Sequence, residues 1–336
     1  MTVAQSETLK PARGRAGAVL TKLGPFLGLI FVLVLFSALR PTTFPTVENM
    51  KNILLHGTIV ITAALGMTMI IISAGIDLSV GSNIALCSVM AAAALNSGLP
   101  PVVAAGVGIV IGTLCGLLIG LLVTQLKLAP FIVTLGMWGA VRGLAKCLGH
   151  YFSEKSDTIS PPFRTLDNWL GNMMYPPKYA WMLVPTGVWV MLVLCIVIAA
   201  TLRFTRFGRH IFAIGSNEQT ARLCGVPVDS RKVIIYALAG ALAGVAGLME
   251  FSYIGQGDPS TATGLELDII AAVVIGGASL NGGQGTVLGT VIGSLLMKTV
   301  SNGCTKMGFE NYVEQMITGA IIIIACTMDR LRRGRE

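Results

Sequence analysis

Four carboxylates stand within or at the mouths of long apolar runs: Asp77, Glu250, Glu266 and Asp268. Acids in such surroundings cap helix starts, where free N–H groups carry partial positive charge, or they line a polar pathway. Two segments share one design. Ser73-Ala-Gly-Ile-Asp-Leu-Ser-Val-Gly81 and Thr263-Gly-Leu-Glu-Leu-Asp-Ile269 each open an apolar stretch with glycine and acid. Ser79 is placed to cap the first of these helices. Residue types alone leave both roles open for Asp77, Glu266 and Asp268.

Other chemistries find less support. The histidines His56, His150 and His210 have no ligand-like spacing. The seven cysteines (Cys87, Cys115, Cys147, Cys195, Cys224, Cys304, Cys326) form no CxxC pair and read as small hydrophobes. No nucleophile–base constellation is visible, which argues against a membrane enzyme. Leu280-Asn-Gly-Gly-Gln284 is close to the LSGGQ signature of ABC ATPases. A G-x-x-x-x-G-K-[ST] loop is missing, however, and no strand precedes the segment. The stretch from Gly276 to Gly289 reads instead as a tight turn between closely packed helices.

The elements that position these residues follow from composition. The 336-residue chain is 54% hydrophobic and 12% charged, with 40 glycines, 15 methionines and a mean hydropathy of +0.76. Soluble domains carry about 25% charged residues, so an all-α polytopic transmembrane bundle is expected, without a soluble catalytic domain. Apolar stretches fall at 23–39, 57–74, 78–96, 100–124, 128–148, 180–202, 232–254, 265–281, 284–302 and 311–328. These predict about ten spans. The first is taken as a span rather than a secretory leader, since no A-x-A-like site follows it.

Orientation follows from the bases, which give the chain a net charge of +8. Residues 1–22 hold Lys10, Arg13, Arg15 and Lys22, and 329–336 hold Arg330, Arg332, Arg333 and Arg335. The connection 203–232 adds Arg203, Arg206, Arg209, Arg222, Arg231 and Lys232. In the connection 149–179, Lys155, Arg164 and Lys178 are balanced by Glu154, Asp157 and Asp167. The positive-inside rule therefore places both tails and 203–232 in the cytoplasm, flanking a membrane domain over 23–328. On that topology the two acidic segments run in opposite directions. Interrupted segments at matching places in two halves point to an inverted repeat with a pathway between them.

Within 203–232, Ser216 or Asn217 suits an N-cap, Glu218 the first turn, Gly225 a C′ position, and Pro227 a stop. The spacing predicts a two-turn helix over 218–224. It is either an incidental part of a basic connector or a docking element for a cytoplasmic partner.

Several motifs together resemble one family. They are Gly75-Ile-Asp-Leu-Ser-Val-Gly81, Pro130-Phe-Ile-Val-Thr-Leu-Gly136, Thr205-Arg-Phe-Gly-Arg209, Ala213-Ile-Gly-Ser-Asn-Glu218 with Gly225-Val226, Glu266-Leu-Asp268, and Gly276-Gly-Ala-Ser-Leu280 with Gly282-Gly-Gln-Gly-Thr286. In matching order from about residue 25 to 330, the chain resembles the permease subunit of bacterial ABC importers for monosaccharides of the ribose, galactoside and xylose type. The resemblance implies a large ten-helix importer fold, working as a dimer with an identical or related permease in the inner membrane. It also implies a periplasmic sugar-binding protein and a cytoplasmic ATPase that uses ATP and Mg, no cofactor being held by this chain. The family's coupling helix maps onto Gly215, Ser216, Asn217, Glu218, Ala221, Arg222 and Gly225. Glu218-Gln-Thr stands where other importers have Glu-Ala-Ala, and Gly225 sits at a different spacing.

A sugar path needs scattered neutral polar groups and aromatic faces. Asn83, Trp138, Asn281 and Gln284 join Asp77, Glu266 and Asp268 as candidates, each with helix packing or a turn as the alternative role. Arg142 and Lys146 are expected to snorkel to water. The rival reading is an ion-coupled secondary transporter using Asp77, Glu250 and Asp268.

Overall fold

A computed structural model describes residues 15–153, 157–162, 166–175 and 184–333. Lys10, Arg13, Arg335 and the loop residues Glu154, Lys155, Arg164 and Lys178, which entered the orientation argument, lie outside the described residues. Among the described residues the chain is all-α, with one isolated antiparallel bridge between Ile159 and Gly257. The helices are α1 (Arg15–Leu39), α2 (Val47–Ile72), α3 (Val80–Asn96), α4 (Pro101–Gln125), α5 (Pro130–Ser153), α6 (Thr186–Phe204), α7 (Arg206–Ser216), α8 (Glu218–Leu223), α9 (Val228–Ile254), α10 (Leu265–Ile275), α11 (Val287–Met307) and α12 (Asn311–Arg333).

Each of the ten predicted apolar stretches overlaps a helix among the described residues. Five helices (α2, α4, α5, α6 and α9) are long and apolar enough to cross a bilayer. The boundaries have local causes. Thr46 accepts from the Asn49 amide to start α2, and Thr286 accepts from the Gly289 amide to start α11. Prolines open α4 and α5, where a missing N–H costs nothing.

One expected element is different. Instead of a span over 265–281, α10 stops at Ile275 after eleven residues. That is about 16 Å at 1.5 Å per residue, half of a roughly 30 Å hydrocarbon layer. The cause is the backbone. Gly276 packs so closely on Gly289 that no side chain fits, and Gly277 turns the chain at φ +92°. The apolar run continues, but the helix does not.

Helix α2 is the hub. It is buried on all sides from Gly57 to Ser73 and packs against α6, α9, α10 and α11, which is why its sequence is apolar all round. The longest seam joins α4 to α9. Gly108, Gly112, Gly116 and Gly120 recur every four residues on α4 and face Leu248, Gly240, Tyr236 and Val233 of α9. A Cβ on Gly112 or Gly116 would strike the α9 backbone, so the small residues set how close the helices lie. Outward, Ile30, Phe31 and Val34 of α1, Val110 and Leu114 of α4, and Val193 and Ile196 of α6 are exposed. Aliphatic faces of this kind suit lipid rather than water.

Gly116→Val should open the α4–α9 seam and cost about 1–3 kcal/mol through overpacking. A lowered midpoint of unfolding in a detergent titration, against an unchanged one for the outward-facing Leu114→Val, is the expected result.

Candidate functional site

Two regions gather the polar residues, and the first is α7 with α8. Thr205 accepts from the Gly208 amide and starts α7, a helix that the sequence reading did not anticipate. Asn217 then accepts from the Thr220 amide at 2.9 Å and caps α8. Ser216 belongs instead to the end of α7, with its hydroxyl donating to the Phe212 carbonyl. Gly225 takes φ +81°; its amide donates to Arg222, and that of Val226 donates to Ala221. This is a Schellman close, and a left-handed residue there is best met by glycine. Ile214, Ala221 and Val228 form a small apolar cluster beneath the two helices.

Ion pairs fasten α8 to the start of α9. Lys232 Nζ lies 2.6 Å from Glu218 Oε2, and Arg222 grips Asp229 through both guanidinium nitrogens at 2.9 and 2.8 Å. The hydrogen bonds to Asp229 raise the Arg222 guanidinium above its ordinary value, so it stays charged. The Arg222–Asp229 fork is about half exposed and holds orientation better than it adds stability, while Lys232 is 17% exposed and reaches Glu218 from a more sheltered position. Leu223, by contrast, is 89% exposed at the tip of α8.

The other end of α7 is pinned. Gly215 lies directly on the Ile72 carbonyl at the end of α2, leaving no room for a Cβ. The same carbonyl accepts from the Gly283 amide at 2.8 Å. Gly215, the end of α2 and the turn at Gly282–Gly283 therefore meet at one point. Asn281 and Gln284 are exposed on that turn, where the Gln284 carbonyl accepts from the Ser279 amide at 3.1 Å.

The second region lies where α3 and α10 begin. Asp77 is buried, and its Oδ1 accepts from the Ser79 amide at 2.8 Å and the Ser79 hydroxyl at 2.6 Å. Ser79 makes no side-chain cap, contrary to the expectation; its hydroxyl is turned back to Asp77, which fixes the turn ahead of α3. Gly81 then packs against the Glu266 carboxylate and the Ala262 carbonyl. Trp138 on α5 donates to Glu266 Oε1 at 3.0 Å, while Glu266 Oε2 is buried without a partner among the described residues. Residues from three helices, distant in sequence, thus meet at Glu266. Asn83 is buried between α3 and α4, with its amide 3.4 Å from the Gly112 carbonyl.

The remaining acids are also engaged. Asp268 pairs with Lys298 of α11 at 3.0 Å, and Thr261 donates to Glu250 at 2.5 Å. Arg142 does not snorkel: it holds the carbonyls of Pro259 and Thr261 at 2.7 and 2.6 Å, while Lys146 is exposed. The sequence reading passed over Lys298, Tyr253 and Leu223, and weighed His56 only as a metal ligand. Lys298 had a visible signal, as the one charge in the apolar run 284–302. The others had none before the helices were assembled.

An all-helical bundle with several bilayer-length apolar helices and a capped two-helix segment at one end is a multi-pass membrane protein. The chain belongs to the family described as "Branched-chain amino acid transport system / permease component", which matches residues 49–326. It is a transport subunit rather than an enzyme. It is 38% identical over 312 residues to the ribose import permease protein RbsC of Bacillus subtilis, covering 93% of this chain and 94% of that protein. Identity to RbsC of Escherichia coli strain K12 is 33% over 334 residues, covering 98% and 99%. Identity to the L-arabinose ABC transporter permease protein AraH of Azospirillum brasilense is 32% over 331 residues, covering 98% and 94%. No solved structure matches the chain. Nothing in the family or these relatives supports the ion-coupled alternative, whose three acids are occupied by Ser79, Thr261 and Lys298.

Two local outcomes follow. Asn217→Ala should cost about 1 kcal/mol of α8 stability, seen as faster hydrogen exchange confined to 218–224. Gly81→Val should drive α3 away from Glu266 and shift the fluorescence of Trp138, a change that Gly106→Val on α4, where an added side chain meets nothing, should not produce.

Proposed function

We propose that this chain is the membrane subunit of an ATP-driven importer for a monosaccharide or related polyol, working by alternating access. The observation that carries the coupling part is the mounting of α8: capped at both ends, fastened to α9 by two ion pairs, and presenting Leu223 almost fully to the outside. A short helix held this firmly transmits a push instead of absorbing it. Support for the cargo comes from near full-length similarity to relatives named for ribose and L-arabinose. The basic composition of 203–232 supports a cytoplasmic position for α8, with both tails on the same side and about ten helical segments in the inner membrane.

In this reading a cytoplasmic ATPase binds ATP and Mg and closes, displacing α8. The ion pairs carry the motion into α9, and Gly215 carries it to the end of α2 and the turn at Gly282–Gly283. Helices α3 and α10, whose starts meet at Glu266, shift relative to each other, and the solute passes between two permease copies. A periplasmic binding protein delivers it. The permease itself forms no covalent bond with the sugar and holds no cofactor. Gly215, Ser216, Asn217, Glu218, Ala221, Arg222 and Gly225 serve coupling. Asp77, Asn83, Trp138, Glu266, Asp268, Asn281 and Gln284 shape the path directly or through the helix starts and turns they hold.

Reconstitution with the cognate ATPase and binding protein tests this. Uptake of D-ribose or L-arabinose should require ATP, survive an ionophore and resist competition by leucine. Leu223→Asp, by removing an apolar anchor, and Gly225→Val, by straining the left-handed close of α8, should each lower uptake and stimulated ATP hydrolysis by roughly tenfold or more, while membrane insertion is unchanged. Uptake that collapses with the ionophore while ATP is maintained would sink the proposal.

A further inference from the structure

Beside the residues already assigned lies a group of polar side chains contributed by four helices. Lys298 sits on α11, eleven residues after Val287 and nine before Met307, and so near the middle of that helix. It pairs with Asp268 Oδ2 of α10 at 3.0 Å, and the two side chains retain 14% and 18% of their exposure. Tyr253 of α9 shares a hydrogen bond of 3.1 Å with His56 Nε2 of α2, their rings meeting edge to face at 4.7 Å between centroids. Gly57, which follows His56 on α2, packs against Leu295, three residues before Lys298 on α11, so the two pairs lie along the same stretch of the α2–α11 contact. Tyr253 is 41% exposed, and His56 is also exposed.

This placement is costly unless something polar faces it. Charged side chains at the depth of an apolar bundle turn toward the protein interior or a water-filled cavity, since lipid cannot solvate them. Lys298 and Asp268 keep 14% and 18% of their side-chain surface open, an opening that must meet water or a polar solute rather than lipid. The chemistry of that opening is mixed. Asp268 Oδ2 takes the lysine, which leaves Oδ1 to accept a hydroxyl. The ammonium has further hydrogens to donate, and Tyr253 offers a flat aromatic face beside its hydroxyl. The carboxylate and ammonium neutralise each other, which suits a neutral ligand better than an ion. Paired donors and acceptors next to an aromatic ring match a solute with many hydroxyls and an apolar C–H face.

We propose that His56, Tyr253, Asp268 and Lys298 form a hydroxyl-binding station on the aqueous path, taking a neutral polyhydroxylated solute in transit. The inference rests on the transport reading above and deepens it by naming where the solute touches this chain.

The test uses the reconstituted full importer in two parts. In a variant with its seven cysteines replaced, Tyr253→Cys should react with a charged, membrane-impermeant methanethiosulfonate. D-ribose together with the binding protein should slow that reaction. Separately, Asp268→Asn and Lys298→Met, in protein that still assembles with the ATPase, should each lower D-ribose uptake by roughly tenfold. A drop of that size is what losing one hydrogen bond to a charged group produces. Tyr253→Ala, at a half-exposed position that tolerates truncation, should lower uptake as well. Absence of labelling at position 253, or a disulfide between two copies there, would overturn the station in favour of a lipid-facing or subunit contact. Normal uptake in all three variants would overturn it too, while a parent that still transports leaves the transport reading standing. A parent that moves neither D-ribose nor L-arabinose would bring down both.

Discussion

The carbonyl of Ile72 has no partner within α2, because the helix ends there. It accepts from the Gly283 amide, and Gly215 packs directly upon it. A buried carbonyl must be satisfied, and this one is satisfied by a turn more than 200 positions away in the chain. Three segments are brought to one point by that requirement: the hub helix, the end of α7 and the glycine turn after α10. Any side chain at Gly215 would separate them. The position of α8 relative to the bundle depends on this contact at one end and on the pairs to Asp229 and Lys232 at the other.

The same requirement explains the acids. None of them stands alone: Asp77 holds Ser79, Glu250 takes the Thr261 hydroxyl, Glu266 takes the Trp138 indole, and Asp268 takes Lys298. Glu266 is the partial exception, with one oxygen buried and unpaired among the described residues. It occurs where α3 meets α10, between two helix starts whose free N–H groups favour negative charge. Ala74 and Ala262, which precede those two starts, both adopt left-handed backbone conformations at φ 61° and 56°. Non-glycine residues held there cost about 1 kcal/mol or more each. Both interruptions are thus held by the surrounding packing rather than by local preference.

Much of this was legible in the chain. Periodicity-free apolar runs located every long helix, and the string from Asn217 to Pro227 spelled out a capped helix nearly to the residue. Such features depend on neighbours within a few positions, and so they appear in a linear reading. The length of α10 did not, because its end is set by the approach of Gly289. The capping of α3 was assigned to Ser79, whereas its hydroxyl donates back to the buried Asp77 and so does not cap the helix. Helix α7 was missed because its start carries Arg206, Arg209 and His210 with Gly208, which read as a basic loop ahead of the apolar Ile211 and Ile214.

By itself, the sequence determined the class of protein, the rough placement of its long apolar helices, the caps of α8 and the resemblance to sugar permeases, since each rests on composition or short-range pattern. Only the tertiary structure decided which acid meets which partner. Lys298 and Asp268 are 30 positions apart, Trp138 and Glu266 are 128, and His56 and Tyr253 are 197. Pairing over such distances is selected by how closely glycine-lined helices pack, and that closeness is a property of the assembled bundle rather than of any segment in it.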